Sequence, residues 1–317
     1  MIEALGLFAL GLLLLALGGD SLVKGASGLS QRYGLSPFAT GLLLVAFGTS
    51  LPELAVNARA VWAGSQALAL GNAVGSNIAN FGLTLGVAAM VAPLLVRWRV
   101  LAPLLLCFIA VSVLVVVLGW DGVLSRAEGL ILLLAFVVVL VLGLTRTRLE
   151  TAELREEVTA YTNTRTDPVL NALRFMIAAV LLYFGAKWVV QAAPIVGLGL
   201  GMEPLLTGLL PVAIGTALPE LAAAVVAARR GQGSMVAGHV IGSSLFNLTV
   251  VLGGMATFRA MPLPSSFVRF EVPAALALAL VLYPMLKGDL RISRREGGVL
   301  AVAFVAWVAF ELYAMQH

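Results

Sequence analysis

Glu53 and Glu220 are the residues whose type and position point to chemistry. Each closes a Gly-Thr-x-Leu-Pro-Glu segment, Gly48–Glu53 and Gly215–Glu220, inside a strongly apolar neighbourhood. A carboxylate at membrane depth costs at least about 2.5–3.5 kcal/mol on insertion scales, so it persists only where it faces protein, water or an ion. A glycine-rich segment follows each glutamate: Gly71–Asn80 holds Asn72, Ser76, Asn77 and Asn80, and Gly238–Asn247 holds His239, Ser243, Ser244 and Asn247. Glu53 and Glu220, Ser76 and Ser243, and Asn80 and Asn247 are each 167 positions apart. A single buried glutamate reads as a protonated structural carboxyl. The same glutamate twice in one motif reads instead as two carboxylates that meet around a cation.

The surroundings supply further oxygens. Thr49 and Glu53 are four residues apart and share a helix face, as do Thr216 and Glu220, Ser76 and Asn80, and Ser243 and Asn247. Pro52 and Pro219 each remove a backbone donor and clash with the preceding turn. Carbonyls near Ala46 and Ala213 are then expected to turn toward a site. Carboxylates, hydroxyls, amides and carbonyls together suit a hard cation such as Ca²⁺, which takes 6–8 oxygens. The two carboxylates match its charge. No Cys–His cluster points to a zinc-type site, and no phosphate loop, nucleophile–base pair or nucleic-acid module is present. The chain therefore reads as a non-enzyme with no cofactor. His239, which stands where the first segment has Asn72, reads either as a proton-sensitive element or as a neutral core histidine. Asp20 is expected to pair with Lys24 one turn away or with Lys187 across the two halves. The Gly-x-x-x-Gly spacings at Gly71/Gly75, Gly82/Gly86 and Gly238/Gly242 read as close-packing faces, expected to set the third helix against the second and the eighth against the seventh.

The elements that position these residues follow from composition. Apolar residues make up 61% of the 317 and charged residues 11%, against about 25% charged in soluble domains. Mean hydropathy is +1.03. Apolar runs of roughly 20 residues recur along the chain, as in a polytopic helical membrane protein. The spacing predicts helices over about 3–31 (interrupted at Gly18-Gly19-Asp20), 36–62, 67–92, 99–119, 124–145, 169–194, 204–228, 233–257, 267–286 and 296–315. The first run has no basic leader or cleavage site and reads as a membrane helix. The single Cys107 allows no disulfide within the chain. Ser125-Arg126-Ala127-Glu128-Gly129 and Ser293-Arg294-Arg295-Glu296-Gly297, 168 apart, extend the repeat to five helices. Five is odd, so the second copy enters the membrane from the opposite side. The fold class is thus all-α, with ten transmembrane helices in two inverted five-helix repeats. The repeats are 1–145 (motif 41–86) and 168–317 (motif 208–253), joined by a polar linker, 146–167. Counting loops alternately, one side collects fourteen of the 20 basic residues. The other side holds Arg59, Arg126, Arg259 and Arg269, while Lys24 and Lys187 lie within helices. This bias places the linker in the cytoplasm and both termini outside. The bilayer and the transported cations are the only partners implied, and the net charge of +4 requires no nucleic acid.

At Gly48–Glu53 with Gly75–Asn80, and again at Gly215–Glu220 with Gly242–Asn247, the chain resembles the calcium/cation antiporter superfamily, in its prokaryotic sodium/calcium exchanger branch. The resemblance covers both halves. It implies ten helices, inverted repeats and four ion sites among helices two, three, seven and eight. It also implies Ca²⁺ extrusion across the cytoplasmic membrane, driven by Na⁺ entry. By motif position it puts ligand roles on Glu53, Glu220, Thr49, Thr216, Ser50, Ser76, Ser243, Asn80 and Asn247, with the carbonyls of Ala46 and Ala213. The second segment departs from the first at Ala217, where Ser50 has a hydroxyl, at Ser244 opposite Asn77, and at His239 opposite Asn72. Asn247 also holds a position that is Asp in some prokaryotic relatives. Ala217 removes one oxygen from a Na⁺ site, so a Ca²⁺/H⁺ exchanger is the rival in the same class. A gated cation channel is the rival of a different class, and a non-transporting scaffold the weakest alternative.

Overall fold

The structure is a computed structural model that describes residues 1–33, 50–96, 98–145, 164–289 and 291–314. Ala46, Thr49, the first part of the second helix and linker residues 146–163 lie outside the described residues. The helices are α1 (Ile2–Arg32), α2 (Leu51–Trp62), α3 (Gln66–Val91), α4 (Trp98–Leu118), α5 (Arg126–Thr145), α6 (Pro168–Gly199), α7 (Pro204–Arg229) and α8 (Gly233–Phe258). Then come α9, whose first turns Phe267–Glu271 run into Val272–Asp289, and α10 (Arg294–Ala314). Eight of these are long and apolar enough to cross a membrane. Their surfaces are inverted relative to a soluble protein. Leu13, Leu134, Val138, Val302 and Val305 are exposed, whereas Asn57, Asn72, Ser76, Asn80, Ser243 and Asn247 are buried. An outer face of bare aliphatic side chains is at home only in lipid.

Local sequence explains where the helices begin. Ser125 and Glu128 form a reciprocal cap on α5: the Ser125 N–H donates to Glu128 Oε2 at 2.7 Å and the Glu128 N–H to Ser125 Oγ at 3.3 Å. Ser293 and Glu296 do the same for α10 at the same distances. Each cap satisfies two backbone donors that would otherwise be left orphaned. Asp167 caps α6, accepting from the Leu170 N–H at 2.7 Å, with Pro168 at the first helical position. The expected break at Gly18-Gly19-Asp20 is absent, since α1 runs unbroken from Ile2 to Arg32. A Cβ at Gly18 would press on Leu181 and Leu182 of α6, and one at Gly185 on Gly11 and Leu15. Close contact with α6 offsets the roughly 1 kcal/mol of helix propensity that a glycine forfeits.

Four two-residue strands tie the halves together. β1 (Leu94–Leu95) pairs antiparallel with β4 (Arg291–Ile292), and β2 (Val123–Leu124) with β3 (Met261–Pro262). By the repeat spacing β1 corresponds to β3 and β2 to β4, so each strand pairs with the counterpart of its neighbour. The glycines follow the same exchange. Gly86 packs on Gly297 of α10, and Gly253 of α8 on Gly129 of α5. These small faces thus meet the opposite half, while α3 still packs on α2 and α8 on α7 as expected, through other residues. A Cβ at Gly71 would meet the Leu205 carbonyl and the Gly208 Cα, and one at Gly75 the Leu209 carbonyl and the Ala213 Cβ. Both α7 and α3 therefore approach backbone to backbone, beside the motif residues.

Candidate functional site

Three helices pass through π-type turns where the motif residues lie: Ala79–Thr84 in α3, Gly208–Val212 in α7 and Asn247–Val251 in α8. A π turn shifts the hydrogen-bond register by one residue and re-aims the side chains around it, a distortion frequent at functional sites. Asn80 and Asn247 stand at the start of two of these turns. Pro219 lies inside α7 without ending it, and Pro52 stands at the start of the described part of α2. The Ala213 carbonyl accepts the Thr216 hydroxyl at 3.2 Å.

The carboxylates of Glu53 and Glu220 come within electrostatic range of one another. They are 0% and 2% exposed. Around Glu220 a network of hydrogen bonds closes. Ser243 Oγ donates to Glu220 Oε1 at 3.1 Å. Asn80 Nδ2 donates to Ser243 Oγ at 3.2 Å, and Ser50 Oγ lies 2.6 Å from the same oxygen. A hydroxyl has one proton and two lone pairs. With its proton on Glu220, Ser243 must accept from both Asn80 and Ser50.

The other half of the site is open. Neither oxygen of Glu53 accepts a hydrogen bond of ordinary geometry among the described residues, and Ser76 Oγ, Asn80 Oδ1 and Asn247 Oδ1 are likewise unpartnered. The cause lies in the sequence. Ser50 bonds Ser243, so the symmetric partner for Ser76 would be residue 217, and Ala217 has no hydroxyl. Asn247 Nδ2 turns instead to Asn77 Oδ1 at 3.2 Å. Leaving such groups buried and unpaired costs about 1–3 kcal/mol each. All four residues bear oxygen atoms able to face a cation, which is the chemistry such a set fits.

Hydrogen bonds and electrostatic contact bring together Glu53, Glu220, Ser50, Ser243, Asn80 and Thr216. Ser76 lies on α3 with Asn80 and Asn247 on α8 with Ser243, and all eight are buried. Two residues at the edge of this set carry no role in the sequence reading, Asn57 because it is not singled out there and Asn77 because it is read only as a motif position. Asn57 is buried and its Oδ1 accepts from Asn72 Nδ2 at 3.0 Å, while Asn72 Oδ1 faces Thr216 Oγ1 at 3.5 Å. Asn77, the partner of Asn247, is the second. The signal for Asn57 was its place four residues after Glu53, on the same face. Its counterpart is Ala224, so His239 lacks the asparagine that Asn72 holds, and its Nε2 lies 3.9 Å from Glu220 Oε1. Asp20 pairs with Lys24 at 2.6 Å, rather than with Lys187, at an exposed position far from this chemistry.

Both halves of the chain, residues 3–145 and 170–313, match the family described as sodium/calcium exchanger protein. The chain belongs to that family. It is 31% identical to the sodium/calcium exchanger MaX1 of Methanosarcina acetivorans, over 96% of this chain and 97% of that one. It is 33% identical to the inner membrane protein YrbG of Escherichia coli, over 98% and 97%. Its fold matches a solved structure of the sodium-calcium exchanger NCX_Mj, soaked with Na⁺ and Sr²⁺, at a TM-score of 0.69 and 30% identity, over 97% of this chain and 98% of that one. The protein is accordingly a membrane transporter of the calcium/cation antiporter superfamily. In this exchanger the family match falls on each half separately, as the 167-residue spacing does.

Proposed function

We propose that this exchanger moves Ca²⁺ out of the cell against Na⁺ entry, by alternating access around a site shared by Glu53 and Glu220. One observation supports the reading: equivalent carboxylates from the two halves are both buried and interact electrostatically, on helices whose buried Ser76, Asn80 and Asn247 oxygens have no partner among the described residues. The ligands are Glu53, Glu220, Thr49, Thr216, Ser50, Ser76, Ser243, Asn80 and Asn247, with the carbonyls of Ala46 and Ala213. Two carboxylates carry −2, which one Ca²⁺ neutralises, and the oxygens replace its hydration shell. Unneutralised, the same charge is expensive to carry through an occluded, water-free state. That penalty is what makes exchange obligatory: the site crosses loaded with Ca²⁺ or with its counter-ions, and not empty. The arrangement is ten transmembrane helices in two inverted five-helix halves, 1–145 and 168–317, in the cytoplasmic membrane. The 146–167 linker lies inside and both termini outside. The exchanged pairing of β1 with β4 and β2 with β3 supports a two-fold relation between the halves.

One observation favours a second reading. His239 stands 3.9 Å from Glu220, and Ala217 leaves Ser76 without its hydroxyl partner. A site poorer by one oxygen and richer by one imidazole suits protons better than Na⁺. The Ser50–Ser243–Glu220 half is complete, and this keeps Na⁺ as the driving ion. ⁴⁵Ca²⁺ uptake into proteoliposomes separates the two. A Na⁺ gradient should drive uptake and a pH gradient alone should not. Full uptake on the pH gradient, with no response to Na⁺, replaces this reading with the proton-coupled one. Uptake with neither gradient replaces it with a channel.

A further inference from the structure

A second pair of carboxylates lies outside the central site, at one end of the α9–α10 pair. Glu271 closes the π-type turn Phe267–Glu271 that opens α9, and Glu311 stands in the last turn of α10. The residues just before them, Phe270 and Phe310, stack with ring centroids 4.6 Å apart and hold the two turns together. The carboxylates are within electrostatic reach of each other. Glu271 is 2% exposed and Glu311 9%. Glu271 Oε2 and Glu311 Oε1 accept no hydrogen bond among the described residues. Trp307, one turn before Glu311 on the same face, stands with its side chain beside that carboxylate. The Ser266 hydroxyl adjoins Glu271. Among the described residues, no Lys, Arg or His is among the groups acting on either carboxylate.

This pair is not part of the repeat. Its first-half counterparts, Pro103 or Leu104 and Gly143, carry no carboxylate. Packing does not explain it either, because two buried carboxyls with one orphaned oxygen each forgo solvation and, once ionised, repel each other. A cation between them removes both penalties. We propose that Glu271 and Glu311 form a second cation site that takes a hard divalent metal ion of the Ca²⁺ type, through carboxylate oxygens, the Ser266 hydroxyl and water. The donor set is all oxygen and its charge of −2 matches such an ion. Phe304, one turn before Trp307, packs on Gly82 of α3. An ion here therefore holds α10 against the turn that carries Asn80. The site stands independently of the transport reading.

Trp307 makes the test specific, because an indole beside a bound Tb³⁺ sensitises its luminescence. The measurement uses the full-length protein carrying Glu53→Gln and Glu220→Gln, which silences the central site, and titrates Tb³⁺ alone as the probe. Saturable indole-sensitised emission that excess Ca²⁺ displaces is expected. Trp307→Phe should abolish the emission while leaving the fold intact, since it removes the antenna and keeps an aromatic ring. Glu311→Gln and Glu271→Gln should each weaken Tb³⁺ binding at least about tenfold, since even outer-shell changes at metal sites cost 10–100-fold. Ca²⁺ should also raise the melting temperature of the Glu53→Gln, Glu220→Gln protein, and adding either substitution to it should erase that rise. No sensitised emission, or emission that survives Trp307→Phe and Glu311→Gln, overturns the proposal and leaves a carboxyl pair that shares a proton.

Discussion

Ser243 spends its whole hydrogen-bonding capacity inside the protein: its proton goes to Glu220, and its lone pairs take Asn80 and Ser50. Ser76, at the equivalent position, has no hydrogen-bond partner among the described residues. The difference traces to one substitution of the internal repeat, alanine at 217 for serine at 50. Ala217→Ser should hand Ser76 a partner worth on the order of 0.6 kcal/mol, the mean for side-chain bonds between membrane helices. The functional effect should be larger, since the added hydroxyl also completes an oxygen set. Na⁺ affinity should rise, or the Na⁺ dependence of ⁴⁵Ca²⁺ transport steepen. An unchanged Na⁺ titration would mean that water already fills the place. The glutamates have no such substitute. Glu53→Gln and Glu220→Gln should each abolish exchange in proteoliposomes with normal membrane expression, because each takes away one of the two charges that balance Ca²⁺. Wild-type transport by either variant removes the shared-site account.

At the scale of elements, α3 and α7 decide the geometry. Gly71 lies on the Leu205 carbonyl and the Gly208 Cα, so no side chain fits between the two backbones. Gly71→Leu should lower stability by about 1–3 kcal/mol, the usual cost of overpacking, and should reduce transport, because α3 carries Ser76 and Asn80. Gly254, by contrast, has nothing within 4 Å of its missing Cβ. Gly254→Ala should hold or raise the melting temperature, by up to about 1 kcal/mol of helix propensity. Equal melting temperatures for the two variants would show that the α3–α7 contact is looser than described. The same contact marks how far sequence reaches. Apolar length gives the helix positions to within a few residues, and the Ser–Glu caps fix where α5 and α10 start. Spacing alone cannot say which helix a glycine face meets: α3 packs on α2, but its Gly71 and Gly75 face meets α7. The π turns left no signal either, because a one-residue change of register alters no residue type. Asn57 was legible by its spacing from Glu53. The link between Asn77 and Asn247 was not, since it depends on two helices crossing.

For the whole molecule, the exchanged strand pairs and glycine contacts say that each half completes itself on the other. β1 finds β4 and not β2, and Gly86 finds Gly297 while Gly129 finds Gly253. A two-fold axis lying in the membrane plane produces this pattern when each half crosses the membrane an odd number of times. Oriented inversely, two identical halves would have no preferred sidedness, so the orientation must come from features that the repeat does not share. The basic residues supply that asymmetry. On the proposed count of ten crossings, Arg229, Arg230, Arg291, Arg294 and Arg295 would fall on the side of the 146–167 linker, and Arg59, Arg126, Arg259 and Arg269 on the other. Basic loops are retained in the cytoplasm, so the linker should be internal. The native Cys107 is half-buried in α4 and is removed first. In a Cys107→Ala background, a cysteine at Thr162 should react with a membrane-impermeant maleimide only after the cells are opened. A cysteine at Asp121, between α4 and α5, should react in intact cells. The reverse pattern would turn the protein over in the membrane, and with it the direction in which Ca²⁺ leaves. Labelling of both sites in intact cells would instead place an odd number of crossings between them in error, and would break the inverted-repeat count.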